Sequence, residues 1–461
     1  MPEYSVPISG EERPLEGLLA KAPERAILVG VDLPGTDWPV EESLEELAQL
    51  AATAGTDCAD RVIQRLAHPH PGTLLGSGKI AEVAELARYH NCDAVIFDLE
   101  LTPGQHRNLE RELERQVLDR TALILIIFGQ RARTKEGRLQ VELAQIEYDL
   151  PRLARQWSHL SRQKGSVQQR GEGEKQIEVD RRLLRRQKSH LEEEIEQVRT
   201  HRYLHRERRK VSGSPVVALV GYTNAGKSTL LNRLAAAHSL AEDKLFATLD
   251  PMTRRVKLNG GQEILLTDTV GFIQRLPTTL IAAFRATLEE VAEADLLVHV
   301  IDASSPSAHH QIESVEQVLE EIGAGGRPMI VAFNKIDRLP RNLPVVVPAD
   351  KAGEQPHNGP LQPGGLAEKL PSVRVSALTG EGIEDLLRCI SENLLLQFVQ
   401  LDVLIPYEHG ELVARFHQFG TIEEESYESA GTRIRGHMPN NQAGPLLAFQ
   451  CKSKGAQPAH S

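Results

Sequence analysis

The chain has 461 residues, a net charge of −11 at neutral pH and four cysteines. That length predicts two to four domains with substantial cores, and that charge excludes a polycation, so any nucleic-acid binding has to come from local patches. Cys58, Cys92, Cys389 and Cys451 are scattered with no Cys-x-x-Cys pair, which argues against zinc and against a disulfide framework and fits a reducing cytosol.

In chain order, residues 1–25 read as a flexible N-terminus. The opening Pro2-Glu3-Tyr4 is polar and carries no signal-peptide pattern. No apolar run reaches the roughly 18 residues that a membrane span needs. The expectation is a soluble, cytoplasmic protein, with peripheral association to a membrane left open.

Residues 26–150 read as an α/β domain. Residues 26–31 and 94–97 are short apolar strands. Residues 42–53 form a helix with Leu44, Leu47, Ala48 and Ala51 on one face, and residues 102–116 form another with Pro103 in its first turn. Gly76-Ser77-Gly78-Lys79 invites a reading as a phosphate loop. It lacks the required glycine spacing and is followed by Ile80 rather than Ser or Thr, so it is read as a turn capping a helix over 80–89.

Residues 151–210 differ in character. Arg181, Arg182, Arg185, Arg186 and Lys188 form a basic stretch, Glu192, Glu193, Glu194 and Glu196 an acidic one, and residues 199–210 are basic again. Sparse apolar spacing among such charges predicts a long helical hairpin supported by i,i+4 pairs. The charges are either a solvated face or phosphate contacts to RNA. The glycine-rich stretch 165–173, with Arg162, Lys164 and Arg170, reads as a loop between the hairpin arms or as a plain linker.

Residues 214–396 carry the chemistry. Gly221-Tyr222-Thr223-Asn224-Ala225-Gly226-Lys227-Ser228, followed by Thr229, matches the P-loop pattern. It lies between an apolar strand at 216–220 and a helical run. The glycines let backbone N–H groups curl around phosphate, and the helix N-terminus adds partial positive charge. Lys227 is expected on the β- and γ-phosphates, and the Ser228 hydroxyl on Mg²⁺. Asn224 either braces this loop or holds a K⁺ ion beside the phosphates.

Two switch motifs follow. In Phe246-Ala247-Thr248-Leu249-Asp250, Thr248 is the favoured hydroxyl for completing Mg²⁺ coordination, and Thr253 competes for the role. In Asp268-Thr269-Val270-Gly271-Phe272, Asp268 is the Mg²⁺-linked acid, acting through water. The Gly271 N–H is the γ-phosphate sensor. Thr269 reads as a strand-end hydroxyl. Phe272 stands where a Ras-like switch carries the water-orienting Gln, so slow intrinsic hydrolysis is expected. Lys227, Thr248 and Gly271 are therefore the catalytic candidates. His309-His310 reads as a solvated helix start rather than a metal site.

The base motif is Asn334-Lys335-Ile336-Asp337 at a strand end. A carboxylate at Asp337 can accept from guanine N1–H and its exocyclic amine. Adenine presents an acceptor at N1, so a polar site of this kind discriminates by roughly 10⁴-fold. Asn334 ties the base loop to the P-loop, and the Lys335 stem covers the ring. In Ser376-Ala377-Leu378 the Ala377 N–H is expected to meet guanine O6. The nucleotide is thus GTP or GDP. Strands at 216–220, 264–267, 297–301, 329–333 and 373–376 alternating with helices predict a mainly parallel sheet. Residues 340–371, rich in Pro and Gly, are read as an insertion with a mobile part at 351–365. Residues 398–440 form a small domain with strands at 402–406 and 432–435 and a helix at 411–418, in which Leu412, Val413 and Phe416 face inward. Residues 441–461 are expected to be a disordered tail.

Several runs together carry a resemblance. Phe246-Ala247-Thr248-Leu249-Asp250-Pro251, Asp268-Thr269-Val270-Gly271-Phe272-Ile273 and Ala282-Ala283-Phe284-Arg285-Ala286-Thr287-Leu288-Glu289-Glu290 resemble HflX GTPases of the TrmE–Era–Obg–HflX class. Gly76-Ser77-Gly78-Lys79, the runs at 131–137, 139–145 and 170–176, and Asp180-Arg181-Arg182 also fit, so the similarity covers about residues 26 to 440. Glu172 and Lys175 stand where the family usually has Pro and Thr, and Ile126 where it usually has Asp. The resemblance implies a P-loop G domain after an α/β domain and a helical hairpin, with a small α+β domain behind. It implies a monomer that binds the 50S subunit and splits or rescues stalled or idle 70S ribosomes under stress. Arg162, Lys164, Arg170, Gly171, Gly173 and Arg181 are then the candidate contacts to ribosomal RNA. An RNA-modification GTPase and an ATP-driven RNA remodeller, with its nucleotide site in the N-terminal half, are the rival readings.

Overall fold

The computed structural model describes residues 22–35, 38–155, 170–211, 215–235, 245–246, 249, 251–258, 263–274, 285–339, 370–395 and 398–451. The chain divides into two compact units. One comprises residues 1–195 with 244–246 and 275–284, and the other holds the remainder.

The first unit is an α/β layer structure. Its strands are β1 (Arg25–Asp32), β2 (Asp57–Arg65), β3 (Ala94–Phe97) and β4 (Gln116–Asp119). They pair in the order β2-β1-β3-β4, all parallel. Near-continuous apolar runs form β1 and β3 because both faces of a parallel sheet are covered by helices. Alternate residues of β1 divide between those faces, and Ile27, Val29 and Val31 join one core with helices α2 (Ser77–Tyr89) and α3 (Pro103–Leu113). The other face receives α1 (Val40–Ala54) and α4 (Arg120–Arg131).

Local chemistry explains the element ends. Thr102 and Gln105 form a reciprocal capping box ahead of Pro103, and Gly55 closes α1 in the left-handed conformation. The expected strands at 26–31 and 94–97 and helix at 42–53 coincide with β1, β3 and α1. The helix expected over 102–116 stops at Leu113, because Glu114 turns left-handed (φ 53°) and Gln116 already pairs in β4. Gly76 is the residue preceding α2, and Lys79 pairs with Glu82 (2.8 Å), so the Gly-Ser-Gly-Lys segment is a helix start.

Most of the first arm expected for the hairpin, residues 156–169, lies outside the described residues. Residues Arg170–Val211 form one 42-residue helix, α6. Its antiparallel partner is α5 (Lys135–Asp149), which lies upstream of the expected boundary. Lys135–Glu194 (3.3 Å), Gln187–Glu142 (2.8 Å) and Lys188–Glu147 (2.7 Å) cross between the two helices. The buried Leu184 and Leu191, seven residues apart, mark one face of α6. Lys188 and Glu194 also pair along the helix, with Glu192 (3.6 Å) and His190 (3.4 Å). Residues 1–21 and 340–369 also lie outside the described residues.

The second unit contains a six-stranded sheet, ordered β10-β9-β8-β5-β7-β6. Its members are β5 (Val216–Val220), β6 (Met252–Lys257), β7 (Glu263–Asp268), β8 (Leu296–Asp302), β9 (Met329–Asn334) and β10 (Ser372–Arg374). All pairings are parallel except β6 with β7. The covering helices include α7 (Lys227–Leu234), α8 (Arg285–Glu293), α9 (Ala308–Glu321) and α10 (Ile383–Leu395). This is the doubly wound sheet expected from the strand–helix alternation. The edge strand β6 was not foreseen, because Met-Thr-Arg-Arg-Val-Lys has one buried side chain, Val256.

A small antiparallel sheet, β11 (Phe398–Ile405), β13 (Gly431–Pro439) and β12 (Thr421–Glu428), follows in that spatial order. Helices α11 (Gly410–Phe419) and α12 (Asn440–Leu447) bury Phe416, Ala443 and Leu446 against it. The tail expected to be disordered from residue 441 is therefore structured through α12, because its apolar residues complete this core. Residues 452–461 lie outside the described residues.

Candidate functional site

The loop after β5 builds a phosphate cradle. Asn224 (φ 59°) and Gly226 (φ 93°) adopt left-handed conformations at the start of α7, the kind of turn from which anion-binding backbone concavities are built. At Gly226 a Cβ would stand 2.3 Å from Asn334 Nδ2, so glycine is also required by the close approach of the base loop.

Lys227 is buried and donates to the carbonyls of Gly221 (2.9 Å) and Tyr222 (2.8 Å). Burial lowers its pKa to about 8, and the Asp268 carboxylate pulls in the opposite direction. The Ser228 hydroxyl donates to Asp268 Oδ2 at 2.6 Å. These are two hard oxygen donors at the mouth of the cradle, and Asp268 has no exposed surface. That donor set suits a small divalent cation.

The segment after β7 closes against the cradle. Thr223 N–H donates to the Phe272 carbonyl (2.7 Å), and Phe272 N–H donates to the Gly221 carbonyl (3.1 Å). The Tyr222 hydroxyl accepts from Gln274 N–H at 2.7 Å. A Cβ at Gly271 would stand 2.9 Å from Thr223 Cα and 3.1 Å from Lys227 Nζ, so only glycine permits this approach. Phe272 is 1% exposed, which makes its ring part of the packing and takes it out of any polar role. The Thr269 hydroxyl donates to the Leu219 carbonyl (2.7 Å), as expected of a strand-end hydroxyl.

Thr253 lies in β6 opposite Thr267, and their hydroxyls are 3.0 Å apart, so Thr253 is committed to the sheet. Thr248, Ala247 and Asp250 lie outside the described residues. Phe246 is buried within the first unit, its ring 4.7 Å from that of Phe128.

The base loops converge on the same strand ends. Asn334 Nδ2 donates to the Ala225 carbonyl (2.8 Å), which is the expected tie between base loop and P-loop. The Ser376 hydroxyl donates to Asp337 Oδ1 (2.5 Å), holding that carboxylate in place. The expectation for Ala377 is revised: its N–H donates to Asn334 Oδ1 at 3.0 Å, so a base oxygen there would share it with the side chain. Leu378 is 70% exposed and contributes backbone rather than packing.

Sequence reasoning missed two charged residues here. Asp302, at the end of β8, receives Lys335 Nζ at 2.7 Å. Arg233, at the end of α7, donates through Nε to the Ala377 carbonyl (3.1 Å) and through a terminal nitrogen to the Leu378 carbonyl. No local pattern signals either, since the partners are far away in sequence.

Of the expected RNA-contact residues, Arg162 and Lys164 lie outside the described residues. Arg170, Gly171 and Gly173 fall in the first turn of α6, where only the backbone is described. Arg181 is on the same helix, 3.3 Å from Glu178. Among the described residues no helix is long and apolar enough to cross a membrane.

The arrangement can bind the phosphates of a nucleotide, hold a divalent ion beside them and read a purine edge. The comparisons agree with it. Residues 41–129, 131–209 and 216–335 match the family models described as GTP-binding GTPase N-terminal, GTP-binding GTPase Middle Region and 50S ribosome-binding GTPase. The chain is 43% identical over 411 residues to a protein of Escherichia coli strain K12 named GTPase HflX, covering 89% of this chain and 92% of that one. A protein of the same name from Lacrimispora saccharolytica is 43% identical over 422 residues, covering 92% and 95%. A crystal structure of a GTP-binding protein from Sulfolobus solfataricus in complex with GDP covers 80% of this chain and 98% of its own at 24% identity. Its TM-score is 0.41.

Proposed function

Since the chain belongs to the HflX family of GTPases, with a P-loop GTP hydrolase fold and a match to a ribosome-binding GTPase domain, we propose that it is a Mg²⁺-dependent switch that docks on the 50S subunit and splits or rescues stalled or idle 70S ribosomes. The observation that carries the nucleotide half is the convergence of Lys227, Ser228, Asp268, Asn334 and Asp337 at the strand ends of one sheet. The ribosomal half rests on the family. Cytoplasmic location and a monomeric state are part of the same reading.

In this reading the P-loop, residues 221–229, cradles the α- and β-phosphates, and Lys227 leaves its two carbonyl partners for the β- and γ-phosphates. Ser228 and Asp268 would hold the Mg²⁺, and Thr248 would be a further hydroxyl donor in the GTP-bound form. When bound, the ion neutralises charge on the phosphate oxygens. The Gly271 N–H senses the γ-phosphate, so GTP binding changes the hydrogen bonds that Phe272 makes with Gly221 and Thr223. Asp337 reads the guanine N1–H and amine, with Ser376, Ala377 and Leu378 framing O6. Asn224 is the candidate K⁺ ligand, so hydrolysis is expected to be faster in K⁺ than in Na⁺ at matched ionic strength. Arg170, Gly171, Gly173 and Arg181, with Arg162 and Lys164, are the proposed contacts to ribosomal RNA.

Because Phe272 cannot orient a water, the ribosome is expected to supply what intrinsic hydrolysis lacks. GTP hydrolysis measured with and without purified 50S subunits, with Lys227→Ala as the blank, tests this. A Lys227-dependent rise supports the reading, and a flat rate removes the ribosome as activator.

A further inference from the structure

We propose that Arg233 is a positioning residue for guanine selectivity: from the far end of the phosphate-binding helix it fixes the turn that faces the 6-oxo group of the base. The inference rests on the proposed guanine reading of Asp337 and of the Ser376-Ala377-Leu378 turn, and goes beyond the sequence motifs, none of which includes this residue.

The geometry is specific. Helix α7 begins in the phosphate cradle at Lys227, and Arg233 sits in its last turn. The guanidinium donates to two successive carbonyls, of Ala377 through Nε at 3.1 Å and of Leu378 through a terminal nitrogen. A planar fork that engages two adjacent peptides holds their orientation better than a single contact. The guanidinium also lies over Gly380, whose Cβ position would be 3.9 Å from its carbon.

Other anchors of this turn are local or point toward the base loop. Gly380 N–H donates to the Ser376 carbonyl (2.8 Å), Thr379 N–H to the Ser376 hydroxyl (3.1 Å) and Ala377 N–H to Asn334 Oδ1 (3.0 Å). The Leu378 side chain is largely exposed, so packing does not hold the turn there. Arg233 is thus a link from this turn to the phosphate-binding helix, and its two hydrogen bonds hold the Ala377–Leu378 and Leu378–Thr379 peptides, which directly follow the Ala377 N–H. Without them the turn keeps its internal bonds but loses its aim. The nucleotides that feel the loss are those recognised through a 6-oxo group.

The test compares GDP with 6-thio-GDP by calorimetric titration of the full chain. The thio analogue keeps N1–H and the amine and replaces only the 6-oxygen with a weaker acceptor. Wild-type protein is expected to prefer GDP by about five- to tenfold, the scale of one hydrogen bond. Arg233→Ala is expected to bring that ratio near one by weakening GDP, with 6-thio-GDP affinity little changed. Arg233→Lys, which retains a donor but not the fork, should recover part of the preference, and it serves as the second variant if the alanine chain does not fold. A wild-type ratio retained in Arg233→Ala overturns the proposal, as does equal weakening of both ligands, which is what simple loss of structure produces. If wild-type protein binds GDP and ADP alike, the guanine reading itself has failed, and the proposal with it.

Discussion

Both units carry parallel strands whose C-terminal ends bear polar and acidic residues, yet the two edges are used differently. In the first unit Asp98, just past β3, receives Arg120 (2.8 Å) and the Ser43 hydroxyl (2.7 Å), and Arg120 also meets Glu46. Asp119, at the end of β4, accepts the N–H groups of Ala122 and Leu101 and lies 3.5 Å from Arg152. Burial pushes the Asp119 carboxyl above its ordinary range, while those hydrogen bonds and Arg152 oppose the shift. In the second unit the corresponding edge carries the P-loop, with Asn224 and Gly226 left-handed at the start of a helix. The lesson is that a strand-end crevice is a place where a site can form, and loop chemistry decides whether one does. Here one edge is filled by its own ion pairs and the other is shaped for phosphate.

The largest test of that contrast is at the base. Asp337→Asn is expected to lower guanine nucleotide affinity by about 10³- to 10⁴-fold and to favour xanthine nucleotides, whose 2-oxo group accepts from an amide. Competition titration with GDP and XDP reads this, and unchanged GDP affinity would remove Asp337 from the site. Next, Lys227→Ala should lower kcat for GTP hydrolysis by about 10²- to 10³-fold, measured as phosphate release under saturating GTP. A near-wild-type rate would show that the cradle does not need its buried ammonium.

The first unit should respond in stability instead. Arg120→Ala leaves Asp98 and Glu46 without their shared buried cation, and is expected to cost about 3–5 kcal/mol in urea unfolding. A loss under about 1 kcal/mol, the scale of an exposed pair, would mean that these pairs are not a structural plug.

The smallest effect concerns pH. His299 on β8 is 3% exposed, and burial, with Lys227 nearby, lowers its pKa to about 4 from an ordinary 6.5. Between those values the unfolded chain binds more protons, so stability falls as pH drops from 6.5 toward 4, by at most about 3 kcal/mol. His299→Leu should flatten that limb of the urea midpoint against pH. An unchanged slope would assign the acid sensitivity to other groups.

The sequence was most informative where a function resides in contiguous backbone. The segment 221–228 encodes its own nest, and Asn334-Lys335-Ile336-Asp337 its own turn, with Lys335 left-handed at φ 62°. β6 escaped notice because an edge strand with one buried side chain has little periodicity. The α5–α6 pairing escaped because a helix stripe does not name its partner.

By itself, then, the sequence determined the nucleotide-binding motifs, the parallel G-domain sheet and the family, since each depends on local conformation or on strand–helix order. Only the tertiary structure decided which distant groups meet. Ser228 reaches Asp268 across 40 residues, Asn334 reaches Ala225 across 109, and Arg233 reaches Ala377 across 144. It also showed that Thr253 belongs to a sheet and that residues 440–447 complete a core. Those outcomes are set by packing and hydrogen-bond geometry between separate elements, which no local pattern of residues specifies.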